Sequence, residues 1–130
     1  MDDLVQFLRD RLAEDKQSAE QAAAEYGADW RYDGDHGYVV ARRESDMVAT
    51  GSQDYLDPFH GDHIARHDPA RVLREVEAKR RTVDLLAPIV ADESYQGPDY
   101  YGGVDACEKA LFLLALPYAD HPDYQETWRP

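Results

Sequence analysis

Cysteine is nearly absent from this sequence: Cys107 stands alone, so no internal disulfide can form, and a reducing cytoplasm is the expected compartment. Long apolar runs are absent as well. No stretch approaches the roughly 18 residues that a bilayer span requires, and no membrane partner is expected. Asp2 and Asp3 stand where a secretory leader would carry positive charge, which again points to a cytoplasmic protein. Cations are scarce, with 14 Lys and Arg against 27 Asp and Glu, a net charge of −13. Such a surface repels phosphate at long range, so no nucleic-acid partner is expected. The chain contains no Gly-x-Ser-x-Gly elbow, no phosphate loop, no Cys-x2-Cys pair and no His-Glu-x2-His motif, and it is read as non-enzymatic.

What is present forms a core. With 43% hydrophobic and 11% aromatic residues, the chain is too rich in core formers to be disordered, and 130 residues make one domain, 1–130. Residues 2–26 carry Leu4, Leu8 and Leu12, then Ala19, Ala22, Ala23 and Tyr26, near one stripe of a long helix that Gly27 can end. The period then changes. Trp30–Tyr32, Tyr38–Ala41 and Met47–Thr50 are short β-rich runs joined by segments of turn composition, which predicts a three-stranded antiparallel meander with one face left for water or a partner. A short helix is expected from about Asp62. Asp68-Pro69 then writes the start of a main helix to about Leu86, with Val72, Leu73, Val76 and Val83 on its inner side. Pro88 should kink or stop it. Val104 to about Leu116 reads as an apolar helix ended by Pro117, and the aromatic tail should pack on the body. The predicted class is α+β: two long helices and a shorter C-terminal helix packed on a small three-stranded antiparallel sheet.

Four groups of residues invite chemistry. His60, His63 and His67, beside Asp57 and Asp62, have a spacing that could hold zinc, since His63 and His67 share a helix face; the alternative is a set of surface histidines and no cofactor. Arg66, Arg71, Arg74, Lys79, Arg80 and Arg81 put a balance of +3 into residues 64–83, between flanks of −9 and −7. That stripe could dock an acidic partner, Arg74 and Arg81 above all, or its charges could pair locally, Arg71 with Glu75 and Glu77 with Arg81. Tyr95, Tyr100 and Tyr101 lie in a glycine-bearing acidic loop, a composition common at protein interfaces and also suited to covering the last helix. Asp120-His121 sets a carboxylate beside an imidazole, but Pro117 and Pro122 suggest a turn that pins the tail.

Three runs carry a family resemblance: Met1–Leu12 (MDDLVQFLRDRL), residues 63–81 (HIARHDPARVLREVEAKRR) and residues 114–124 (LALPYADHPDY). With them the chain resembles a family of small actinobacterial and actinophage proteins of unknown function, which implies no activity. Members of that family often carry cysteines in the stretch equivalent to 88–108, as if for a small metal knot; here only Cys107 remains. The favoured expectation is an accessory protein that binds another protein or its own copies. Its alternatives are an acidic decoy of phage or mobile-element origin that occupies a DNA-binding groove, and a small metal-binding protein built on His60, His63 and His67.

Overall fold

The computed structural model describes residues 1–91 and 102–130. Among these described residues it is an α+β structure with four helices and one antiparallel sheet: α1 (Asp2–Ala23), β1 (Arg31–Asp33), β2 (Tyr38–Val40), β3 (Met47–Thr50), α2 (Pro58–Arg66), α3 (Pro69–Val90) and α4 (Gly103–Ala115). Single 3-10 turns lie at Ser52–Asp54, Leu116–Tyr118 and Glu126–Trp128. No helix among the described residues is long and apolar enough to cross a membrane. The residues divide into two compact units, one of Met1–Glu14 with Glu77–Pro130, the other Asp15–Val76.

In the unit of Asp15–Val76, β1, β2 and β3 form the expected meander in that order. Tyr32 pairs with Val39 and Val39 with Ala49, while Val40 pairs with Met47, so Val48 is the extra residue of a bulge in β3. Neighbours in a strand point to opposite faces. Val39 and Val40 are both fully buried, so the central strand is enclosed on both sides. The expectation of one open face holds only at the edges, where Arg31 and Met47 are exposed. Helix α2 covers the Tyr32 side: Gly61 lies so close to the Tyr32 ring that a Cβ there would overlap it.

The short helix starts earlier than the sequence suggested, at Pro58 rather than near Asp62. Asp57 caps it, its carboxylate accepting from the Phe59 backbone N–H at 2.9 Å, with proline in the first turn. The same device starts α3. Asp68 Oδ1 accepts from the Arg71 N–H at 2.9 Å, and Oδ2 accepts from the Trp30 N–H at 3.0 Å, tying the entrance of the sheet to the helix start.

In the other unit, the first half of α1 supplies Leu4, Val5, Phe7, Leu8 and Leu12 to the interior, with Val83 and Ala87 of α3, Leu111 and Ala115 of α4, and Tyr124 and Trp128 of the tail. Phe7 is the hub of the tail's attachment: its ring centroid lies 5.0 Å from Trp128, 6.1 Å from Tyr124 and 6.2 Å from Tyr118. Helix α3 does not stop at Pro88; it continues to Val90. A proline in the last turn deprives only the Asp84 carbonyl of its helical partner, and Asp84 and Pro88 are both exposed, so water can replace the lost bond. Val76 and Val83 are enclosed as expected, whereas Val72 and Leu73 are only half-buried.

Candidate functional site

The outer side of α3 within Glu77–Val90 carries the least expected feature. Ala78, Arg81, Leu85 and Ile89 follow one another at steps of three and four, so they form one stripe. All four are exposed: Leu85 by 68%, Ile89 by 43%, and the Arg81 side chain by 74%. Two large apolar side chains thus stand one turn apart in water, with a cation one turn before them. Arg81 donates to Glu77 at 2.9 Å, and Arg80 grips the same carboxylate at 2.8 Å and Asp84 at 2.8 Å. The hydrogen bonds from Arg80, and then from Arg81, hold the Glu77 carboxyl down to about 2, so it stays ionised at any physiological pH.

Much of the basic stripe is therefore paired locally, as the spacing allowed. In the other unit Arg71 meets Glu75 at 3.0 Å. Arg74 is exposed and makes no ion pair among the described residues. The three tyrosines of the predicted interface, Tyr95, Tyr100 and Tyr101, lie outside the described residues.

The histidine set falls on α2 and its end, in the unit of Asp15–Val76. His60 and His63 are exposed on the helix and His67 is its C-terminal cap. The rings of His63 and His67 lie 4.3 Å apart, centroid to centroid, with 37° between their planes. His67 Nδ1 bonds the His63 carbonyl oxygen at 2.8 Å. Among the described residues no group of three or more His, Cys, Asp or Glu side chains is placed to hold a metal ion.

His67 also lines a cleft of about 200 Å³ with Asp15, Ser18, Ala19, Ala22, Trp30, Pro69 and Val72. The small side chains of α1 leave that space open. Trp30 is fixed there, since its indole N–H donates to the Gly27 carbonyl at 3.0 Å while its backbone is held by Asp68. Phe59, 84% exposed on the first turn of α2, is the most exposed large apolar side chain among the described residues. Sequence reasoning missed Phe59, Leu85 and Ile89. The Asp57-Pro58 cap signal could have placed Phe59 on a helix. The spacing sets Leu85 and Ile89 opposite Val76 and Val83, but nothing local marks whether another segment covers that side.

Two titratable pairs complete the electrostatics. In the β1–β2 turn, the buried Asp33 carboxylate meets His36 Nδ1 at 2.8 Å and accepts the Asp35 N–H at 3.1 Å. The hydrogen bond with His36 lowers the Asp33 carboxyl below its ordinary range, and the same bond raises the imidazole above its own. In the tail, His121 is taken up in structure: Arg11, itself buried, reaches His121 Nδ1 at 2.8 Å, and that nitrogen also accepts the Asp123 N–H at 3.0 Å. The Arg11 guanidinium lies over Phe7, 5.1 Å from the ring centre, so His121 is held in the kind of pinned turn that the prolines suggest.

No curated protein and no solved structure matches the chain. A family model matches residues 1–130, the whole of the sequence, and it is described as a family of unknown function. Because that match spans the whole sequence, the chain belongs to this family, DUF6221.

Proposed function

We propose that the chain is a non-enzymatic, cytoplasmic accessory protein that binds other protein surfaces, its own copies included, without a cofactor in that role. The observation that carries this reading is the Ala78–Arg81–Leu85–Ile89 stripe. Burying a leucine or isoleucine side chain is worth about 1.5–3 kcal/mol, so two of them in water one turn apart are a standing driving force for contact. Arg81 adds selectivity. The Arg81–Glu77 pair at the edge of the patch supplies a polar rim that a partner has to match, while the −13 of each copy opposes self-contact at long range.

Sedimentation velocity at two salt concentrations tests this. The wild-type chain should form a dimer whose population grows with protein concentration, more at 500 mM than at 50 mM salt, because screening weakens the repulsion between two copies of charge −13; a strict monomer at both would count against it.

The decoy reading, with the actinobacterial or phage origin that the family resemblance implies, rests on net charge. It has less behind it, because net charge by itself marks no particular surface for a partner.

A further inference from the structure

We infer that His63 and His67 form a two-point chelate for a divalent transition-metal ion of the zinc, nickel or copper type, at the C-terminal end of α2. Residues four apart on a helix are neighbours on its surface, and both imidazoles are exposed, so an ion reaches them from solvent without any opening of the fold. Their rings already lie together, 4.3 Å between centroids.

The second observation concerns the tautomer. His67 Nδ1–H donates to the His63 carbonyl at 2.8 Å, which leaves the Nε2 lone pair as the donor atom. A ligating histidine commonly has its other nitrogen held in this way, by a backbone carbonyl or a carboxylate, and the hold both orients the ring and raises its basicity. His67 caps α2, and the negative end of that helix's dipole favours a cation nearby. Asp15, in the cleft that His67 lines, adds negative charge on that side.

His60 is not part of this site. It lies seven residues before His67, about 10 Å along a helix axis, whereas bonds from zinc to imidazole are about 2 Å. No third side chain among the described residues completes a set of three. The ion therefore keeps at least two coordination positions for water or for a donor from another molecule. That pattern belongs to open sites rather than to closed structural ones. Imidazole donors suit zinc, nickel and copper, and exclude calcium and magnesium as the natural occupants.

The test is calorimetric titration of Zn²⁺ and Ni²⁺ into the full chain carrying no histidine tag, alongside His60→Ala, His63→Ala and His67→Ala. One ion per chain is expected, with affinity reduced about tenfold or more in His63→Ala and in His67→Ala, because each loses one arm of the chelate. His60→Ala should bind like the wild type. All three positions are exposed, so far-UV circular dichroism should show every variant folded. No uptake by the wild type, uptake that survives both the 63 and 67 substitutions, or an equal loss in His60→Ala would each overturn the site.

Discussion

At position 61 a glycine stands inside a helix, where alanine would be the better helix former by roughly 1 kcal/mol, and the reason is the ring of Tyr32. A Cβ at Gly61 would overlap that ring, and the ring cannot leave cheaply because its hydroxyl donates to the Leu56 carbonyl at 2.7 Å. Gly61→Ala should therefore lose about 1–3 kcal/mol despite its better propensity, read as a lower urea midpoint at unchanged slope. A gain in stability would mean that α2 does not rest on Tyr32. A second residue-scale expectation concerns pH. The raised imidazole of His36 adds stability that is complete below its ordinary value of about 6.5 and is lost as pH climbs through the raised one. The lowered Asp33 carboxyl adds stability above about 4 that is lost as pH falls through the lowered value. The pair is most effective between those limits, so the urea midpoint should be higher at pH 5 than at pH 8. His36→Gln should flatten that difference; an unchanged pH profile in the variant would remove the pair from the account. Neither residue could be singled out beforehand. His36 reads as one more polar turn residue until the hairpin closes it against Asp33.

Among the elements, those with a chemical start signal were the most legible. Asp68-Pro69 marks the beginning of α3 to the residue, and the structure shows why, with one carboxylate oxygen on the Arg71 N–H and the other on the Trp30 N–H. Asp68→Ala should cost about 1–2 kcal/mol as a lost cap and should also loosen Trp30, lowering the urea midpoint and shifting tryptophan fluorescence together. Asp68→Asn keeps one acceptor oxygen and should lie between the two; equal stability of the alanine variant and the wild type would contradict the capping role. The identical Asp57-Pro58 signal is harder to read, because no apolar periodicity follows it: in the structure Phe59 points into water, and Gly61 has no side chain. Pro88 misled in the opposite direction. Its clash falls on a solvent-facing turn at the end of α3, where the missing hydrogen bond is replaceable by water. The period-2 runs placed all three strands within a residue or so, yet the burial of both faces of β2 depends on neighbours distant in sequence.

At the scale of the whole molecule, composition marks an acidic protein, periodicity an α+β one, and the family model covers all of it, but none of them names a partner. Leu85 and Ile89 show why the interaction face was hidden. In the sequence they fall roughly 180–220° round the helix from Val76, opposite the stripe that carries Val76 and Val83, and only the arrangement of the surrounding segments decides whether that second side is covered. Arg81 was visible as a basic residue but equally well explained by Glu77, with which it does pair. The proposed function therefore rests on a feature of packing rather than of motif. Its most direct test compares the wild-type chain with the double variant Leu85→Glu, Ile89→Glu by sedimentation velocity at 500 mM salt, where charge repulsion is screened, over a wide range of concentrations. Both positions face water, so the variant should fold as the wild type does. The account predicts a concentration-dependent dimer for the wild type and a monomer for the variant at every concentration; a wild type that stays monomeric, or a variant that associates equally well, would contradict it.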